Sequence, residues 1–248
     1  MLCPSIDVMS LTEQEASIEE NALALAKKNK KAIARRLTDP EKYLPEKSPV
    51  SVFMAGSPGA GKTEASKALI ADLQSYGSEI LRIDPDDLRG EFADYTGDNS
   101  YLFQRAVSIL VEKLHDFAIQ QKQSFLLDGT LSNYDIAEKN IKRSLDKKRF
   151  VQILYVYQEP RFAWQFVVAR EKLEGRKIPP EQFVDQYFSA RDVVNRLKAK
   201  FGQKIEVDLL LKNLDGSDKV YKANIDQIDN FVREKYTRNE VESIIRTK

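Results

Sequence analysis

Gly56-Ser57-Pro58-Gly59-Ala60-Gly61-Lys62-Thr63 is the stretch of this sequence best equipped for chemistry. It spells G-x-x-x-x-G-K-[ST], the pattern of a phosphate-binding loop. Glycines let the backbone fold so that several N–H groups point at one anion. The Lys62 ammonium can reach the β- and γ-phosphates of a nucleoside triphosphate, and the Thr63 hydroxyl suits Mg²⁺. ATP and Mg²⁺ are therefore the expected cofactors. The motif has meaning only between a strand and a helix. The apolar run Val50–Ala55 and the helical pattern over 64–76 provide both, and the helix turns its positive end toward the phosphates.

Carboxylates recur where such a loop would need them. Asp128 closes the apolar run 124–128, where an acid can organise Mg²⁺ through water; capping of the next segment is the competing role. Asp84, Asp86 and Asp87 follow a second apolar run. A kinase for a hydroxyl acceptor needs a carboxylate near the γ-phosphate to orient the alcohol and take its proton. Asp84 still belongs to the strand and Asp86 lies just past it. Capping by Asp86 or Asp87 competes with catalysis, and position alone does not choose. The D-x-x-G at Asp87 to Gly90 is set aside, because no N-K-x-D follows it.

Arg170 and Arg176 flank 171–175, where arginines on a closing segment could neutralise a transferring phosphoryl group. Gly175 would be the flexible break. Surface pairing with Glu171 and Glu174 explains the spacing equally well. Glu112 lies mid-helix and reads as solvent-facing, His115 as satisfied or exposed, and Trp164 as core or pocket wall.

The elements that must position these residues alternate. Strands are expected at 50–55, 79–84, 124–128 and 150–157, separated by helices at 64–76, 99–122 and 134–146. Helices at 160–173 and 180–201 follow, then a hairpin from 207–212 and 220–223 around Asn213-Leu214-Asp215-Gly216, and a closing helix over 226–246. Strands alternating with helices imply βαβ units, a parallel sheet, and ligands at the carboxyl ends of its strands. The fold class is α/β, a P-loop NTPase-like three-layer fold with a mainly parallel sheet and a C-terminal hairpin plus helices. Residues 1–48 form an N-terminal helical extension and 49–248 the kinase domain. Within the extension, 12–36 is an amphipathic helix with alternative capping-box starts at Thr12 and Ser17. Its second half carries Lys27, Lys28, Lys30, Lys31, Arg35 and Arg36, either a solvated face or a docking face for an acidic partner or phosphates.

Composition narrows the field. The chain has 248 residues, 42% hydrophobic and 31% charged, with a net charge of +1. That balance gives no global drive toward nucleic acid or membrane, and no run approaches a membrane span. The single cysteine, Cys3, excludes an internal disulfide, and no signal peptide is visible; both suit the cytoplasm.

Taken together, these residues resemble the zeta-toxin family of bacterial toxin–antitoxin systems, P-loop kinases of UDP-N-acetylglucosamine. The resemblance covers roughly residues 50–223. It rests on G-S-P-G-A-G-K-T, on I-D-x-D ending at Asp86, on the acid-G-T at Asp128-Gly129-Thr130, on the Arg170 and Arg176 pair before Pro179, and on the late hairpin. It implies that Asp86 is the catalytic base and that Lys62 serves both nucleotide binding and catalysis. It implies that Arg170 and Arg176 stabilise the transferring phosphate. It also implies that Glu112 and Thr130 join Asp86 in binding the sugar nucleotide. The implied reaction moves the ATP γ-phosphate to the 3′-hydroxyl of the amino sugar, starving peptidoglycan synthesis, and the implied partner is a small helical antitoxin. Asp128 departs from the family pattern, in which a Glu is familiar. A kinase for another hydroxyl compound, such as a nucleoside, antibiotic or other sugar, and a non-catalytic nucleotide-binding regulator are the alternatives.

Overall fold

A computed structural model describes residues 11–74, 79–175, 177–215, 217–232 and 235–246. Cys3, Ser75, Tyr76, Arg176, Gly216 and residues 233–234, all used in the sequence reading, lie outside them. The described strands are β1 (Val50–Ala55), β2 (Leu81–Ile83), β3 (Phe125–Leu127), β4 (Phe150–Tyr157), β5 (Glu206–Lys212) and β6 (Asp218–Lys222). They form one six-stranded sheet in the order β2-β3-β1-β4-β5-β6. Every neighbouring pair is parallel except β5 with β6, the expected hairpin.

The described helices are α1 (Glu13–Leu37), α2 (Lys62–Gln74), α3 (Gln104–Gln120), α4 (Tyr134–Asp146), α5 (Pro160–Glu174), α6 (Pro180–Phe201) and α7 (Arg238–Arg246). Side chains of a strand alternate between faces, and β1 shows the consequence. Phe53 and Ala55 enter the larger core with α3, α4 and α6, whereas Val52 and Met54 meet Leu69, Ile70 and Leu73 of α2. The sheet is thus covered on both sides, as parallel sheets must be. A fully buried side chain such as Phe53 or Leu126 is worth about 1.5–3 kcal/mol.

Two rivets align the lower edge of the sheet. The buried Arg149 donates from Nε to Ser51 Oγ at 2.6 Å, and from Nη2 to the carbonyls of Val50 at 2.8 Å and Gln123 at 2.6 Å. Burial lowers its pKa to about 10, and it still carries its charge at neutral pH. Gln123 Nε2 donates to the carbonyls of Thr38 at 2.9 Å and Tyr43 at 2.8 Å, tying the end of α1 to the start of β3. With β1, β3 and β4 fixed at their beginnings, their carboxyl ends fall on one rim.

α1 starts at Thr12, where a capping box with Glu15 is complete; Ser17 is passed over. Its buried Ala22, Ala26, Ile33 and Ala34 join the larger core against α3. Lys27, Lys28, Lys31, Arg35 and Arg36 are exposed. Two expected helices are shorter than their patterns. Residues 100–103 form a 3-10 turn before α3. The closing segment holds a 3-10 turn at Ile228–Asn230 and then α7. The reason for the second break is local: Thr237 and Glu240 form their own capping pair, Thr237 N–H to Glu240 Oε2 at 2.7 Å and Glu240 N–H to Thr237 Oγ1 at 3.3 Å, which starts a new helix. No described helix is long and apolar enough to cross a membrane.

Candidate active site

The loop 56–63 connects β1 to α2 and is braced by its neighbours. Gly56 has φ +135° and Gly59 φ +70°. A Cβ at Gly56 would stand 2.3 Å from the Val156 carbonyl oxygen of β4, and one at Gly59 would stand 2.0 Å from the Ala163 carbonyl oxygen of α5. Only glycine tolerates both the backbone and the approach. At Gly61 the same construction meets Lys212 Cε of β5 at 3.1 Å. Three elements therefore hold the loop in one shape. Lys62 Nζ donates to the carbonyls of Gly56 at 3.0 Å and Ser57 at 2.6 Å, so the ammonium lies over the loop's own arc. Gly56 N–H donates to the Thr130 carbonyl at 3.2 Å, and the Thr130 and Ser132 hydroxyls share a hydrogen bond of 2.9 Å. The segment after β3 is thereby pinned beside the mouth of the loop.

The carboxyl ends of β2 and β3 join the same assembly through Arg82. Its Nη2 donates to Asp128 Oδ2 at 2.7 Å and to Asp84 Oδ2, and its Nη1 reaches Asp87 at 2.9 Å. Ser66, one turn along α2 from Lys62, donates to Asp128 Oδ2 at 2.9 Å. Asp84 Oδ1 accepts the Asp86 N–H at 2.8 Å. A continuous polar chain thus runs from α2 through Asp128, Arg82 and Asp84 to Asp86. Asp86 itself lies between two arginines: Arg89 Nη1 donates to its Oδ1, and Arg170 Nη2 of α5 lies 3.8 Å from its Oδ2.

Burial dominates the electrostatics of this chain. Asp84 is pushed up to about 6 by burial and by the nearby charges of Asp86 and Asp128, against the Asp86 N–H and Arg82, which favour the carboxylate. Burial opposes the charge of Arg82, yet Asp128, Asp84 and Asp87 together raise its pKa. A guanidinium shared by three carboxylates stays protonated and fixes their geometry.

Sequence reasoning assigned no role to Arg82, Ser66 or Arg89. Available signals were an arginine on a short buried strand, a serine one helical turn beyond Lys62, and an arginine three residues after Asp86. Glu112 is placed differently from the rest. It is half exposed, 58% for its side chain, and pairs with Lys139 of α4 at 2.9 Å. It lies eight residues into α3, roughly 12 Å of helix from Gln104, which meets Arg89 at 3.5 Å. The structure therefore brings Lys62, Thr63, Thr130, Asp128, Asp86 and Arg170 to one rim, with Glu112 farther down α3. Arg176 lies outside the described residues. Gly175 is the left-handed cap of α5, φ +73°, rather than a loose break, and its Cα side packs against Asp98. His115 is buried beside Phe53 and Phe125. Burial, with Arg143 and Arg149 nearby, lowers its pKa to about 3, so it stays neutral. Trp164 packs edge-on against Phe183.

No described group of three or more His, Cys, Asp or Glu side chains could hold a metal alone. Mg²⁺ bound with phosphates needs only one or two protein oxygens. The Thr63 hydroxyl and the Asp128 carboxylate are donors of that type, so these residues fit it.

Comparison with known proteins agrees with this geometry. The family model described as zeta toxin matches residues 33–226. No curated protein matches the sequence. Among solved structures, one from the PezAT chromosomal toxin–antitoxin system of Streptococcus pneumoniae is 18% identical, covers 95% of this chain and 93% of its own, and superposes with a TM-score of 0.59. The AvrRxo1-ORF1:AvrRxo1-ORF2 structure with sulphate ions is 16% identical, over 92% of this chain and 74% of that one, with a TM-score of 0.58. The AvrRxo1-ORF1:-ORF2 structure with ATP is 16% identical, over 84% of this chain and 66% of that one, with a TM-score of 0.56. At such identities the structures speak for a shared fold, while the family model covers most of the chain. With its phosphate loop, its I-D-x-D and its acid-G-T on one rim of the sheet, this chain belongs to the zeta-toxin family.

Proposed function

We propose that this protein is an ATP-dependent kinase that phosphorylates a hydroxyl of a sugar nucleotide. The family resemblance favours the 3′-hydroxyl of UDP-N-acetylglucosamine. The observation that carries the reading is the unbroken chain of hydrogen bonds from the phosphate-loop helix to Asp86. It couples a triphosphate cradle to a carboxylate that sits beside an arginine of α5.

The reaction follows from that arrangement. Residues 56–63 hold the β- and γ-phosphates through backbone N–H groups, and Lys62 exchanges its carbonyl partners for phosphate oxygens. Thr63 and Asp128 would hold Mg²⁺, which supplies charge neutralisation at those phosphates. Asp86 accepts the proton of the acceptor hydroxyl as its oxygen bonds to the γ-phosphorus. The bond from that phosphorus to the bridging oxygen breaks, and ADP departs with the electron pair. The proton on Asp86 passes to solvent. Arg170, with Arg176, offsets the charge that spreads over the transferring group. Thr130, beside the loop, and Glu112, on α3, bind the acceptor. Phosphorylated UDP-N-acetylglucosamine would deprive cell-wall synthesis of its precursor in the cytoplasm. Similar structures come from a toxin–antitoxin system and a two-component complex, which supports a protein partner, and the family resemblance favours a small helical antitoxin.

One observation favours a different acceptor. Glu112 is exposed and already engaged by Lys139 at 2.9 Å, which suits a hydroxyl compound that needs no contact with Glu112. An ATP-consumption assay over a panel of acceptors separates the two. Turnover with UDP-N-acetylglucosamine supports the first reading; turnover only with a nucleoside, antibiotic or other sugar supports the second. In either case Asp86→Asn is expected to lower kcat by roughly 10²–10⁴-fold with ATP affinity unchanged. A biological effect left intact by loss of the Asp86 carboxylate would point to a nucleotide-binding regulator instead.

A further inference from the structure

Arg89 belongs to no motif used above, yet it holds the side chain on which the reaction depends. It lies three residues after Asp86, and the 3-10 turn at Asp87–Glu91 folds its side chain back: Arg89 N–H donates to the Asp86 carbonyl at 3.2 Å. The residue is only 4% exposed. Nη1 donates to Asp86 Oδ1, Nη2 reaches Gln104 Oε1 of α3 at 3.5 Å, and Nε is buried with no hydrogen-bond partner among the described residues. A buried guanidinium has few ways to offset its lost hydration. Here the carboxylate of Asp86, 30% exposed, is its ionic partner. The second oxygen of that carboxylate faces Arg170 across 3.8 Å. One arginine is thus fixed and buried and the other is 40% exposed on α5, so of these two the first is better placed to set the carboxylate's orientation before substrates arrive.

We propose that Arg89 is a positioning residue: its buried guanidinium clamps one oxygen of Asp86 so that the other is presented to the acceptor hydroxyl. This rests on Asp86 acting as the base. Arg89 touches neither nucleotide nor acceptor in this scheme, so its loss changes the chemical step and leaves ATP binding alone. Losing one hydrogen bond to a charged group predicts about a tenfold to hundredfold effect.

The test is a double-mutant cycle with Arg89→Met and Asp86→Asn, assayed with ATP and the acceptor that the wild type turns over. Arg89→Met should lower kcat by about tenfold to a hundredfold, keep the KM for ATP within about twofold, and add nothing further in the Asp86→Asn background. Arg89→Lys, which keeps charge without the fork, should recover part of the rate. Multiplying effects in the double variant would overturn the proposal, because Arg89 would then act independently of Asp86. So would wild-type kcat in Arg89→Met beside an inactive Asp86→Asn. Full activity in Asp86→Asn is a separate result, which removes the base itself. If Arg89→Met does not fold, Arg89→Lys decides: kcat about threefold or more below wild type at unchanged thermal midpoint and ATP KM supports the clamp, and kcat equal to wild type overturns it.

Discussion

Asp84 and Asp86 are two residues apart and sit in different surroundings. Asp86 is partly exposed beside two arginines, whereas Asp84 is buried under Arg82 and pushed up to about 6. The ionised form of Asp84 is less favourable in the folded chain than in the unfolded one. Its contribution to stability is therefore complete below about pH 4 and is lost as pH rises through about 6. The displacement from 3.8 corresponds to about 3 kcal/mol. Melting wild type and Asp84→Asn from pH 4 to pH 7 checks this: the variant should gain stability relative to wild type over that interval, and a constant difference would contradict it. In the phosphate loop, Gly59→Ala places a methyl 2.0 Å from a backbone oxygen at φ +70°. ATP affinity, measured by calorimetry, should fall by about tenfold or more. The loop was readable because its chemistry is contiguous in the chain. Arg82 and Ser66 were not, since their roles arise from contacts among β2, β3 and α2 that no local pattern records.

At the scale of elements, most strands and helices follow hydrophobic periodicity, and the misses have local causes. Residues 99–122 carry an apolar repeat throughout, but 100–103 take 3-10 geometry, with Leu102 and Phe103 fully buried before α3 begins. The last helix starts late because Thr237 and Glu240 cap each other. α1 reads as an appendage by position, yet Ala22, Ala26, Ile33 and Ala34 pack into the main core, and Arg36 reaches Glu91 at 2.5 Å in the turn that carries Arg89. A truncation starting at Lys47 should therefore lower the thermal midpoint by more than about 5 °C, as read by circular dichroism. An unchanged midpoint would show that α1 is dispensable to the fold.

At the scale of the whole molecule, alternation of strand and helix indicated a parallel sheet but not its order. The observed order puts the apolar β1 and β4 side by side at the centre of the sheet. That order sets the spacing along the rim: β3 next to β1 brings Asp128 beside the phosphate loop, and β2 next to β3 carries Asp86 one strand farther. The most direct test of the account is transfer of radiolabelled γ-phosphate from ATP to UDP-N-acetylglucosamine, with wild type and Asp86→Asn compared side by side. The account predicts a labelled sugar nucleotide from the wild type and at least about a hundredfold less from the variant. Equal labelling by both proteins would contradict it.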